Sequence, residues 1–255
     1  MNGKKVLRSL PLWQSLLFFG IPGAIMYFGF YVGGPYFAER GNVFIGTALP
    51  LTGTCALIFI IALVLFRLEG NEMTWPSFQE RFRLHAPKKK DWIWIIGVFF
   101  AIQILEAILV FSGISLKAIP FFRVPDFVPF PINPDKGTTI PPTEFLGVVL
   151  KGAWWMIPYW FVHLFFNIFG EEFMWRGYIL PRQELSYGKW TWIINGLLWG
   201  FLFHAFMKWN FIGMLPEILL TPWIAQKTKS TWASIFTHGI GNLIILGVIL
   251  PGIIG

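Results

Sequence analysis

The sequence predicts an all-α, polytopic transmembrane helix bundle of about seven to eight spans, and three observations carry that expectation. Of 255 residues, 55% are hydrophobic and only 13% are charged, about half the ~25% usual for soluble domains. The charges are segregated: residues 9–38, 41–66, 152–170, 190–207 and 230–255 contain no Asp, Glu, Lys or Arg. The basic residues gather between these runs, as flanking charges do in membrane proteins. A disordered chain is excluded, and an ordinary soluble globule is strongly disfavoured.

A helix needs ~20 apolar residues to cross the hydrocarbon core, which places spans near 12–34, 43–66, 92–116, 158–185, 190–208, 210–226 and 231–250. The first is long and has no small-residue cleavage site ahead of a soluble domain, so it reads as a retained helix. Gly29 and Gly33 within it suit helix packing. The second carries the single Cys55, which excludes an intramolecular disulfide and reads as a small hydrophobe. Lys88–Lys90 precedes the third span as a stop signal at the membrane surface, meeting anionic lipid. Seven of the 18 prolines fall in 117–144, so that stretch is an irregular outer loop. Residues 145–157 are either a helix at the outer surface or the start of an overlong helix broken at Pro158. The chain thus divides into N-terminal helices and outer loop (1–144) and a C-terminal membrane domain (145–255).

The formal charge of +7 reads as orientation rather than nucleic-acid binding. With the N-terminus cytoplasmic, thirteen Lys and Arg fall in inner segments and five in outer loops, the positive-inside bias. The expected location is an integral, multi-pass protein of the plasma membrane, in contact with membrane lipids. Trp190, Trp192, Trp209 and Trp232 lie near span ends, as an interfacial belt requires.

Ionisable groups inside spans are costly and usually face the bundle interior. They concentrate in the C-terminal half: His163, Glu171, Glu172, Arg176, His204, Glu217 and His238, with Asn167 and Asn242 beside them. Residues four apart share a helical face. His163, Asn167 and Glu171 therefore align, as do His238 and Asn242, and Glu172 can pair with Arg176. Gly196, Gly200 and His204 also step by four, so His204 points towards a packed helix. If the chain reverses at Tyr187 and Gly188, Glu171 and His204 lie at one depth, ~24 Å along their helices at 1.5 Å per residue. A tilted third helix brings His238 and Asn242 to that level. His163, Glu106 and Glu217 lack such partners and read as helix-packing groups.

One carboxylate, two imidazoles and one amide from three helices suit the hydrolysis of an amide or ester. A buried carboxylate can act as general base on water, with a His beside it. A second His and an Asn can stabilise an oxyanion. The same set of Glu171, His204 and His238 could instead ligate zinc with an open position for water, so the cofactor is zinc or none.

At these residues the sequence resembles a known family. Glu171-Glu172-Phe-Met-Trp-Arg176-Gly177 matches the EExxxR motif of the CPBP family (CAAX proteases and bacteriocin-processing enzymes, or Abi), which includes the Rce1-type prenyl proteases. His204 ends the second motif, FxxxH, although Gly200 stands where the family has Phe. His238-Gly-Ile-Gly-Asn242 matches the third, HxxxN. The resemblance covers roughly 155–250. It implies an intramembrane endopeptidase with its active site inside the C-terminal helices, cleaving a CAAX-type, bacteriocin or other peptide or protein substrate. Glu171 and His204 would activate water, His238 and Asn242 would form the oxyanion site, and Glu172 and Arg176 would give support. Family members have been described as metalloproteases, but this arrangement can also work as a metal-free glutamate protease. Two further readings rank below: a non-enzymatic immunity or scaffold protein that keeps the site, and, last, a transporter.

Overall fold

The computed structural model describes residues 7–112, 116–136 and 139–255. Helix α1 (Leu12–Ala38), α2 (Val43–Leu68), α4 (Trp92–Phe111) and α8 (Thr231–Ile254) supply, among the described residues, four helices long and apolar enough to cross a membrane. Their outward positions carry Leu17, Ile21, Ile60, Ile93, Ile104 and Phe111, all exposed, the inverse of a soluble surface and suited to lipid. A short helix, α3 (Trp75–Arg81), lies between α2 and α4.

The remaining helices differ from the expected spans. Helix α5 runs without interruption over 156–187, ~48 Å at 1.5 Å per residue. It is long enough to cross, but it carries Glu171, Glu172, Arg176, Arg182 and Glu184. Helix α6 (191–203) stops at Phe203 rather than near 208, and Ala205–Asn210 follows as a tight 3₁₀ stretch with non-helical Met207. Helix α7 (Leu215–Thr228) has 14 residues, ~21 Å, and is too short to cross a ~30 Å core unaided.

Residues 145–157 form neither of the two expected helices. A hairpin of β1 (Glu144–Phe145) and β2 (Val148–Val149) turns through Leu146 (φ 51°) and Gly147 (φ 79°). Both turn residues adopt the positive φ that a two-residue hairpin of this twist requires. Helix α5 then begins at Met156, with Pro158 in its first turn, where its missing N–H would have had no partner in any case.

At one end of the bundle Arg81, Arg83, Arg182 and Lys229 tie helix ends together. Glu69 follows α2 and pairs with Arg81 (2.6 Å) and with Arg182. Glu184 takes Arg83 and Lys229, each at 2.8 Å. Lys4 and Lys5, expected at this end, lie outside the described residues. A buried polar chain reaches inward from there: Asn195 Nδ2 donates to Gln183 Oε1 (2.9 Å), and Gln183 Nε2 donates to Ser15 Oγ (3.1 Å). That chain joins α6, α5 and α1.

Candidate active site

The site is built where α5 crosses α2. A Cβ on Gly170 would collide with the carbonyl oxygen of Cys55, so only glycine lets the two backbones approach at this level. On either side of Glu171 and Glu172, Phe165–Gly170 and Phe173–Ile179 take wider π-type turns, which often mark functional positions. Such turns shift the following side chains around the helix, so spacing-by-four arguments hold here only locally.

Glu171 has no solvent exposure, and both of its oxygens are held. Oε1 accepts from Asn167 Nδ2 (2.6 Å) and lies 3.7 Å from the Cys55 thiol. Oε2 accepts from the indole N–H of Trp199 (2.5 Å). These bonds offset the desolvation that makes an unpartnered buried carboxylate so costly.

His204 sits in the turn that ends α6. Its backbone N–H reaches the Trp199 carbonyl (3.0 Å), and its ring Nδ1 lies 3.3 Å from the same oxygen. With Nδ1–H given to that carbonyl, Nε2 is left unprotonated and faces Glu171 Oε2 across 3.9 Å. This distance is too long for a direct hydrogen bond. The expected coincidence of depth between Glu171 and His204 is present, although His204 lies just past a helix end and not within a span. Gly196 and Gly200 do serve close packing, against Ile218 of α7; His204 itself faces α5.

The second histidine belongs to a separate pair. His238 Nδ1 bonds Glu172 Oε1 (2.9 Å), and its Nε2 lies 3.9 Å from Glu217 Oε1. Arg176 pairs with the same Glu172 oxygen at 3.2 Å, both side chains being fully buried, as their spacing predicts. The guanidinium lies 3.9 Å over the ring of Trp199, whose aromatic face helps offset the burial of the cation. Asn242 Nδ2 donates to its own helix at His238 O (3.1 Å), which leaves the second N–H of that amide uncommitted by this bond.

Trp199 is the residue that sequence reasoning missed. It donates to Glu171, accepts from His204, stacks under Arg176, and its ring centre is 5.5 Å from that of His238. In the sequence it was visible only as a neighbour of Gly200.

Residues 153–244 match the family described as type II CAAX prenyl endopeptidase Rce1-like. This segment belongs to the Rce1-like family. The assignment agrees with the resemblance of the EExxxR, His204 and HxxxN motifs. No curated protein and no solved structure matches the chain.

The Rce1-like segment shares its cavity with the rest of the chain. A cavity of about 420 Å³ is lined by Glu171, Trp199, His204, His238 and Asn242, and also by His163, Glu106 and Glu217. These last three were expected to be packing groups. The cavity wall is where they lie, with His163 Nδ1 2.9 Å from Thr52 Oγ1. Helix periodicity ranks faces within one helix, but it does not say which faces of α4 and α7 meet the head of α5.

The zinc alternative finds no ligand set in this Rce1-like segment. Among the described residues, no three His, Cys, Asp or Glu side chains are arranged to hold a metal ion. His238 Nδ1 is committed to Glu172, while His204 is directed to Glu171. Glu171, His204 and His238 do not form such a group in this arrangement.

Proposed function

We propose that the chain is a membrane-embedded endopeptidase that cleaves a peptide bond with water activated between Glu171 and His204. The observation that carries this reading is the facing pair itself. Glu171 Oε2 and His204 Nε2 stand 3.9 Å apart at the wall of a cavity, close enough for both to reach one water beside them. Glu171 takes a proton from that water as hydroxide adds to the scissile carbonyl carbon, and His204 orients the attacking oxygen. The tetrahedral oxyanion is met by the second N–H of Asn242. In its imidazolium form His238 donates through both nitrogens, Nδ1 to Glu172 and Nε2 into the cavity. The proton taken by Glu171 returns to the leaving amine as the carbon–nitrogen bond breaks.

The Glu172–Arg176 pair and the stack on Trp199 hold His238 and Glu171 in place and touch no substrate. Residues 145–255 act as the catalytic membrane domain. The helices and loop of 1–144 complete the cavity through Leu51, Cys55, Glu106 and Ile132. The cluster of basic residues at one end of the bundle supports an N-terminus on the cytoplasmic side of the plasma membrane.

The family description supports a CAAX-type substrate, with other peptides as the contrast. The test uses the full chain in lipid nanodiscs with a farnesylated C-terminal CAAX peptide and its non-prenylated counterpart. Wild type is expected to cleave, and Glu171→Gln to lose cleavage while keeping its melting temperature. Undiminished cleavage by Glu171→Gln overturns the assignment of the base; cleavage of neither peptide overturns the CAAX-type substrate. Activity retained in zinc-free, chelator-treated protein is expected, and its loss with restoration by zinc overturns the metal-free step.

A further inference from the structure

Two cavities at the basic end of the bundle meet at shared residues. The first, about 880 Å³, is lined by Arg8, Arg81, Arg182, Glu69, Tyr178 and Asn71, with Leu65 and Leu68 on one side. The second, about 510 Å³, runs along α1 past Trp13, Leu17, Ile21, Ile61 and Met174. Gln14 and Arg182 line both. A polar chamber therefore adjoins an apolar groove whose Leu17 and Ile21 are exposed, as side chains facing acyl chains are.

The chamber's charge is unbalanced. Among the described residues lining it, three arginines stand against the single carboxylate of Glu69, which Arg81 and Arg182 already hold. Those two guanidiniums are fixed against Tyr178, with their centres 4.3 and 4.7 Å from its ring centre. Arg81 Nη1 also donates to the Gly177 carbonyl (3.2 Å). Arg8 is exposed at the chamber's edge. A pre-set surplus of arginine beside an apolar groove matches an amphiphile with an anionic head and an acyl chain.

We infer that this paired cavity binds an anionic phospholipid, its phosphate among Arg8, Arg81 and Arg182 and one acyl chain along Leu17 and Ile21. This inference does not rest on the proteolytic reading. The chain at the start of α1 is docked on α5 here: Leu10 N–H donates to Arg182 O (3.2 Å), and Ser186 Oγ donates to Leu10 O (3.2 Å). A lipid at this seam therefore bridges α1, α2 and α5.

The test is native mass spectrometry of the full chain released from nanodiscs of equal phosphatidylcholine and phosphatidylglycerol. Phosphatidylglycerol is expected to be retained about tenfold over phosphatidylcholine, as basic pockets between helices select charged heads. Arg8→Gln should cut that preference several-fold. Leu17→Trp, which narrows the groove, should lower retention without changing the melting temperature in pure phosphatidylcholine. If Arg8→Gln does not fold, Leu17→Trp decides the matter alone. Equal retention of the two lipids overturns the inference, as does retention unchanged in the folded variants. Inorganic phosphate raising the melting temperature as much as phosphatidylglycerol would mark a free-phosphate site and overturn the lipid assignment.

Discussion

Trp199→Phe tests the geometry of the proposed site most directly. The substitution keeps an aromatic ring beneath Arg176 and removes one donor, the indole N–H that lies 2.5 Å from Glu171 Oε2. Hydrogen bonds to charged groups contribute ~1.5–3 kcal/mol, at the upper end where both partners are buried. Glu171 is fully buried, and its other oxygen keeps Asn167 (2.6 Å). At ~1.4 kcal/mol per tenfold, kcat should fall roughly 10- to 100-fold. KM should stay within about twofold if the interaction serves the reacting carboxylate and not substrate binding. The smaller ring also leaves a small void, so a melting temperature lower by a few degrees is expected. The assay is steady-state cleavage of the farnesylated peptide in nanodiscs, alongside thermal unfolding. Asn167→Leu should act similarly, and the double variant should lose less than the sum, because both groups hold one carboxylate. A folded Trp199→Phe protein with kcat within about twofold of wild type would refute the reasoning.

Gly170→Ala gains up to ~1 kcal/mol in helix propensity. It also drives a methyl into the Cys55 carbonyl, an overpacking cost of ~1–3 kcal/mol; a lower melting temperature together with reduced cleavage is the expected net result. Asn242→Ala should reduce kcat by ~10²–10³, the usual loss of one oxyanion donor. Its melting temperature should hardly move, because the amide bonds only its own helix at His238 O. At the basic end, burial pushes the Glu69 carboxyl up, but the hydrogen bonds and charge of Arg81 and the hydrogen bond of Arg182 outweigh it and hold the group at about 2. Glu69 therefore stabilises the fold above its ordinary 4.5, and that contribution is lost as pH falls towards about 2. Glu69→Gln should be less stable at neutral pH by ~1 kcal/mol, discounted for a partly exposed pair; the deficit should vanish near pH 2 in a melting series.

Much of the site was legible because its constraints are local or additive. The Glu172–Arg176 pair follows from spacing on one helix, and the shared level of Glu171 and His204 follows from counting residues from a common reversal. Both arguments use only helical rise and periodicity. What failed was whatever depended on departures from a regular helix. The end of α6 at Phe203 arises from wide turns over Trp199–Phe203, which no apolar run announces. The hairpin around Leu146 and Gly147 replaced an expected helix because two positive-φ residues set its turn, and a leucine gives no warning of that. Trp209, expected in an interfacial belt, is 4% exposed and belongs to the core. The placement of Glu106 and Glu217 is a tertiary outcome: α4 and α7 pack together and turn both carboxylates towards the cavity that holds His238.

The Rce1-like segment and the cavity do not have the same extent, and the difference bears on selectivity. Glu171, His204, His238 and Asn242 all lie within 153–244, so the groups proposed to act on water and carbonyl come from that segment. The walls do not. Met26 and Cys55 come from α1 and α2, Glu106 from α4, Pro131 and Ile132 from the proline-rich loop, and Phe145 and Leu146 from the hairpin. A peptide entering this cavity meets its bond-breaking groups on one segment and much of its shaping surface on the other. Changes at Ile132 or Leu146 should therefore alter which peptides are cleaved, read as ratios of kcat/KM between substrates, while kcat on the preferred one is preserved. Changes at Glu171 should lower cleavage of every peptide alike. The division follows from the fold: the reacting side chains are fixed on buried, closely packed helices, whereas the loop and hairpin supply walls of the cavity and none of the reacting groups.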